Sequence, residues 1–248
     1  MAAMSAIAID IGEKRYPARA GAPARDIFRA FRLDIASGEF LVLLGASGLG
    51  KTTLLNIVAG LDREYRGTVR FDAGGGAGAV APRIAYAFQN PRLLPWRTVL
   101  ENVALPLPPG EESRRRALAM LEEVGLAELA PAYPERLSLG QQRRVALARA
   151  FVIEPEVLLM DEPFVSLDEV GAARLRDLLR RLLAGRPATV LFVTHDSREA
   201  VELASRIVVL EGTPARIAHD IGLHLSREER AAPGRLEELR RALAGAAG

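Results

Sequence analysis

The sequence has no cysteine. That excludes a disulfide-stapled scaffold and any zinc site built on thiolates, and it fits a reducing compartment. No apolar run approaches the roughly 18 residues that a membrane-spanning helix needs, so any membrane association is expected to come through a partner. The first ten residues are mildly apolar but carry no basic stretch, and Asp10 and Glu13 follow at once; they do not read as a secretory signal. Net charge is only +2 although the pI is about 9.3. Abundant arginine sets that pI rather than a large positive excess, so nucleic acid is not an expected partner.

What is present suits one α/β domain, or one domain with an inserted lobe: 248 residues, 49% hydrophobic and 26% charged, enough to bury a sizeable core. Residues 5–11 alternate apolar with small or polar side chains and predict a strand. Residues 13–25 hold Lys, Arg, Gly and two Pro and predict a loop. Residues 28–35 read as a second strand, closed by a turn at 36–39. An apolar strand at 40–44 leads through a glycine-rich turn to a helix at 53–59, which Gly60 ends. Short strands follow at 67–71 and 83–88 around a flexible turn at 72–78. Five prolines then fall between residues 90 and 109. A helix is predicted at 111–124, with Ala117, Leu118, Leu121 and Val124 on one face, and two more helical stretches at 126–133 and 139–151. Together these read as a helical lobe inserted between strands. Strands at 157–160, 188–193 and 207–210 alternate with helices at 171–183 and 197–204, the pattern of a parallel sheet with right-handed crossovers. The Arg- and Glu-rich stretch 226–243 predicts a last amphipathic helix.

Three constellations carry chemistry. The first is Gly45-Ala46-Ser47-Gly48-Leu49-Gly50-Lys51-Thr52, between a strand and a helix, the setting that confirms a G-x-x-x-x-G-K-[ST] phosphate loop. Its glycines let the backbone turn tightly and aim N–H groups at phosphate, and the following helix offers its positive end. Lys51 is placed to reach the β- and γ-phosphates, and the Thr52 hydroxyl to ligate Mg²⁺. The second is Asp161-Glu162 at the C-terminal end of a buried strand, where open α/β sheets put their ligands. Asp161 suits a Mg²⁺ ligand, and Glu162 suits orienting and deprotonating a water. The third is Ser138-Leu139-Gly140-Gln141, a turn at a helix start that offers a hydroxyl and N–H groups to an anion. Taken alone, it reads as an N-capped helix with a basic exposed face through Arg143 and Arg144.

In order along the chain, these motifs resemble the ATPase subunit of an ATP-binding cassette transporter. The remaining family elements fall in place: a glutamine loop at Gln89, the signature at 137–142, the loop Ser166-Leu167-Asp168, and a histidine, His195, after the strand at 188–193. The resemblance covers essentially the whole chain. It implies an α/β P-loop NTPase of ATP-binding cassette type, with a parallel-sheet core, an N-terminal antiparallel β subdomain and an inserted helical subdomain. The domain layout implied is one cassette over 1–248, with the core at 1–88 and 152–225, the helical subdomain at 89–151 and a C-terminal helix at 226–248. ATP and Mg²⁺ are the implied ligands. Tyr16, Gly45, Ala46, Ser47, Gly48, Leu49, Gly50, Lys51, Thr52 and Thr53 would hold the nucleotide, with Phe28 the rival to Tyr16 for the adenine ring. Gln89 would join Thr52 and Asp161 at the metal. Ser138, Gly140 and Gln141 would reach the γ-phosphate held by a second copy, and Asp168 would cross the dimer interface. Glu162 and His195 would be catalytic. One departure stands out: Leu139 occupies a position where the family signature usually has glycine, and leucine gives up access to positive φ.

A lone ATPase chain resembles the importer arrangement, with separate permease subunits and an extracytoplasmic solute-binding protein. The stretches around Gln89 and Asp161 resemble the nitrate, sulfonate and taurine group. The exposed-looking Leu93, Leu94 and Trp96 sit where relatives receive the permease. The expected location is the cytoplasmic face of the membrane, held there by the permease. Two other classes stay open: a soluble cassette ATPase acting on DNA or ribosomes, which usually shows coiled coils or two cassettes, and a P-loop kinase or GTPase. The guanine-reading Asn-Lys-x-Asp stretch is absent from the sequence.

Overall fold

The computed structural model describes residues 6–18, 23–72, 81–223 and 234. In chain order the elements are β1 (Ala6–Tyr16), β2 (Arg25–Ile35), β3 (Phe40–Leu44), α1 (Lys51–Val58), β4 (Arg66–Asp72), β5 (Ile84–Ala87), α2 (Val99–Ala104), α3 (Glu111–Glu123), α4 (Leu139–Phe151), β6 (Val157–Asp161), α5 (Glu169–Gly185), β7 (Thr189–Thr194), α6 (Ser197–Leu203), β8 (Arg206–Glu211) and β9 (Arg216–Gly222). They divide into two compact units, one formed by residues 1–81 with 189–248 and the other by residues 82–188.

The first unit contains an antiparallel sheet in the order β2-β1-β4. Period-two alternation builds it: Ile7, Ile9 and Ile11 of β1 and Phe31, Leu33 and Ile35 of β2 turn inward and are buried. Ile9 stands opposite Leu33 on one side and Val69 on the other. Gly67 is required by close approach, since a Cβ there would lie 2.1 Å from the carbonyl oxygen of Asp10. The same unit holds β7-β3-β8-β9. β3 is parallel to β7 and β8, and its buried Leu41, Val42, Leu43 and Leu44 form a continuous apolar run, as a strand covered on both faces requires. The second unit pairs β5 with β6 in parallel and packs α2, α3 and α4 around Val103, Leu121, Val145 and Phe151, all buried.

Several expectations need correction. Residues 13–16 are not loop: β1 continues to Tyr16, because Lys14 turns inward to a partner that local sequence does not reveal. The stretch 126–133 is not an α-helix but carries a 3-10 turn at Ala127–Leu129, followed by a second at Pro134–Arg136. The proline-rich stretch contains α2, started by a reciprocal cap between Thr98 and Glu101. On α3 the buried stripe is Ala117, Met120, Leu121 and Val124, the i, i+3, i+4, i+7 pattern, while Leu118 is exposed. β9 was not anticipated; it pairs antiparallel with β8, Ile217 and Ile221 standing opposite Leu210 and Ile207, and Asp220 and His219 opposite Val208 and Val209. The helix expected at 226–243 lies outside the described residues, as does most of the turn expected at 72–78.

Candidate functional site

In the first unit, β3 delivers the chain at Leu44 into the glycine-rich turn. Gly48 and Gly50 both sit at φ +86. At Gly50 a Cβ would also lie 2.3 Å from the Cγ2 of Ile27, so space and conformation both demand glycine. Lys51 opens α1 and is 5% exposed; its ammonium donates to the carbonyls of Gly45 (2.7 Å) and Ala46 (2.9 Å). Arg25 donates to the carbonyl of Gly48 at 2.6 Å. Cations thus hold the carbonyl side of the turn. The start of α1 has no side-chain cap and no acidic residue in its first turn, which suits an incoming phosphate as the cap. Thr52 is exposed and Thr53 buried.

Tyr16 ends β1, 38% exposed, with its hydroxyl 3.3 Å from Thr53 Oγ1 and donating to Asp62 at 3.2 Å. The Lys14 ammonium, buried, lies 4.4 Å from the Tyr16 ring and pairs with Asp62 at 2.8 Å. This cluster fastens the end of β1 to the first turn of α1. Burial pushes the Asp62 carboxyl up, but hydrogen bonds from Lys14 and the Glu64 backbone, the Lys14 charge and Tyr16 outweigh it and hold the carboxyl below its ordinary range. Phe28, the other aromatic, is fully buried against Phe31 and belongs to the core. His195 is exposed, just past β7. Thr194 donates to Glu199 at 2.6 Å and accepts from the Asp196 N–H, while Asp196 caps α6, so the turn carrying the imidazole is braced on both sides.

In the second unit, β6 ends at Asp161, which is buried, and Glu162 follows half-buried at φ +42. Ser166 is also left-handed, at φ +65. Two such residues within five positions form a strained turn that neighbours must hold. The holder is Arg143 of α4, itself buried, whose guanidinium donates to the carbonyls of Glu162 (3.4 Å), Pro163 and Val165. The expected basic exposed face of α4 is therefore wrong at Arg143. Burial pushes the Tyr86 phenol well up, the negative Asp161 adds to this, and Arg92 opposes it.

Ser138 is the N-cap of α4. Its hydroxyl accepts from the Gln141 N–H at 3.3 Å while the Gln141 side chain accepts from the Ser138 N–H at 2.8 Å. Leu139 is the first residue of the helix and has no positive φ. The concern that leucine forfeits a needed left-handed conformation does not apply here. Gly140 is half-buried in the first turn. Asp168 caps α5, accepting from the Gly171 N–H at 3.0 Å. Gln89 is exposed, after Phe88, whose ring stacks on Tyr86 and lies 4.0 Å from the Arg92 guanidinium. Arg149 of α4 donates to the carbonyls of Pro91 and Arg92. Beyond this loop Trp96 is 71% exposed. Asn102, fully buried, secures the segment before α2: it accepts from the Leu94 N–H at 2.7 Å and donates to the carbonyls of Leu94, Arg97 and Thr98. Lys14, Asn102, Arg143 and Arg149 escaped sequence reasoning. Only a charged or amide side chain amid apolar neighbours hinted at them.

A strand–glycine turn–helix with a buried lysine, and an acidic pair closing a parallel strand, define a P-loop nucleotide-binding protein. The ABC transporter family model matches residues 28–165, more than half of the chain. Two curated relatives agree. The aliphatic sulfonates import ATP-binding protein SsuB 1 of Xanthomonas axonopodis pv. citri is 43% identical, over 90% of this chain and 88% of that one. The aliphatic sulfonates import ATP-binding protein SsuB 2 of Nocardia farcinica is 48% identical, over 86% and 84%. Among solved structures, a bacterial ABC transporter cassette determined as a dimer aligns with TM-score 0.75 and 33% identity, over 89% of this chain and all of that one. A post-hydrolysis dimeric cassette bound to ADP and Pi aligns with the same TM-score at 32% identity, over the same shares. The chain belongs to the ABC transporter family, as an ATP-binding and ATP-hydrolysing subunit with the cassette fold. Among the described residues no helix is long and apolar enough to cross a membrane.

Proposed function

We propose that this chain powers an importer of small organic sulfonates, working as a pair of identical copies beneath separate permease subunits on the cytoplasmic face of the membrane. An extracytoplasmic binding protein delivers the solute. The observation that carries the nucleotide part is the uncapped start of α1 behind a turn whose carbonyls are held by Lys51 and Arg25. That leaves the helix N-terminus, with its N–H donors, for a phosphate chain. The sulfonate assignment rests on the curated relatives, whose names carry that solute and whose likeness spans most of both chains.

In this reading residues 45–53 hold the phosphates, with Lys51 on the β- and γ-phosphates and Tyr16 against the adenine. Ser138, Gly140 and Gln141 of one copy close over the γ-phosphate bound to the other, and Asp168 links the two copies. Glu162 orients the attacking water and takes its proton, while His195 steadies the γ-phosphate. Thr52, Asp161 and Gln89 offer only oxygen donors in their coordinating roles, the chemistry a hard cation such as Mg²⁺ takes; when bound, that ion neutralises charge on the phosphate oxygens. Residues 89–151 form the helical subdomain, and Leu93, Leu94 and Trp96 receive the permease.

The test is reconstitution with a cognate permease and solute-binding protein. ATP hydrolysis should rise when the binding protein carries an alkanesulfonate and stay at its resting level with nitrate. Stimulation by nitrate alone would replace the solute assignment.

A further inference from the structure

α4 begins at the signature turn and carries, one and a half turns later, the buried Arg143. Its guanidinium gathers three main-chain carbonyls from the turn that follows Asp161, those of Glu162, Pro163 and Val165. That turn holds Glu162 at φ +42 and Ser166 at φ +65, conformations disfavoured for residues with a side chain. A planar fork of N–H donors can collect several carbonyls converging on one point, which a single ammonium does less well. These three acceptors are main-chain carbonyls of one turn, so through them Arg143 fixes the path of the chain.

Accepting the ATPase reading above, we propose that Arg143 is a positioning residue for Glu162 and the link through which the signature turn acts on its own copy's catalytic turn. Ser138 and Arg143 share one uninterrupted helix. When the signature turn of one copy engages the γ-phosphate held by the second, α4 is drawn with it, and Arg143 carries that displacement to the backbone under Glu162. Glu162 of this copy serves the nucleotide on this copy's phosphate turn. Arg143 thereby makes hydrolysis at one site depend on occupancy of the other.

The test compares wild type with Arg143→Gln and Arg143→Lys in steady-state Mg·ATP hydrolysis, recording kcat, KM, the Hill coefficient for ATP and the melting temperature. For Arg143→Gln, kcat should fall at least tenfold while KM stays within threefold, and the Hill coefficient should drop toward 1. Arg143→Lys, which keeps charge and some donors, should recover part of kcat. Three results overturn the inference: an Arg143→Gln kcat within twofold of wild type, a kcat loss that merely follows falling ATP affinity and melting temperature, or failure of both variants to fold. A wild type that binds ATP without hydrolysing it would overturn the ATPase reading itself, and this inference with it. An active wild type beside an equally active Arg143→Gln overturns the inference alone.

Discussion

Ser138 and Gln141 cap each other: the serine hydroxyl accepts the Gln141 N–H, and the Gln141 side chain accepts the Ser138 N–H. The turn at the start of α4 is therefore shaped by its own two side chains. An accepting hydroxyl still has its own O–H to donate. Ser138→Ala should cost about 1 kcal/mol, the usual loss of an N-cap, read as a lower midpoint in urea. Separately, it should weaken ATP-driven pairing of an Ala variant relative to wild type in light scattering. A stability loss with pairing unchanged would confine Ser138 to the cap.

Leu139→Gly restores the residue usual at that place, yet little gain is expected. Leu139 lies in the first turn of α4 without positive φ, and glycine lowers helix stability by up to about 1 kcal/mol. The ATPase rate should change less than threefold. A large rise would mean the turn adopts another backbone when nucleotide is bound.

These cases show what was legible in the sequence. The limits of β3 and α4 could be read to the residue, because an apolar run met a glycine turn in one case and a serine cap in the other. The motif order pointed to Gly45–Thr52 and to Asp161-Glu162, and the fold sets the first where β3 passes into α1 and the second at the end of β6. Arg143 and Lys14 were hidden because their acceptors lie about 20 and 48 positions away, beyond any periodic signal. The short α2 was masked by flanking prolines, and β9 by a polar face that does not alternate cleanly.

Lys14 and Asp62 give a pH-dependent prediction. Removing the acid leaves a fully buried ammonium unpaired, so Asp62→Ala should destabilise by about 3 kcal/mol at pH 7. Lys14→Met, which removes the buried charge, should cost far less. The Asp62 carboxyl is held below its ordinary 3.8, so its contribution is fully present above that value and is lost as pH falls through the lower folded value. The gap between wild type and Asp62→Ala in chemical denaturation should accordingly close below pH 3.8 and stay constant above about pH 5.

Trp96 and Asn102 separate contact from support. Trp96 is largely exposed, so Trp96→Ala should leave the melting temperature within a degree or two while weakening association with the permease at least tenfold, as loss of an aromatic anchor does. Asn102→Ala strips four hydrogen bonds from a buried position and should lower stability by about 2 kcal/mol as well. Co-purification of permease with both variants at wild-type yield would remove this segment from the docking surface.

The central claim is that two copies of this chain share each ATP and that Glu162 removes the proton from water. Glu162→Gln keeps the shape and loses the base. In the presence of Mg·ATP it should migrate as a dimer holding two unhydrolysed ATP per pair, with phosphate release below one hundredth of wild type, as measured by multi-angle light scattering with nucleotide analysis of the peak. A variant that stays monomeric with ATP bound, or that releases phosphate at the wild-type rate, would contradict the account.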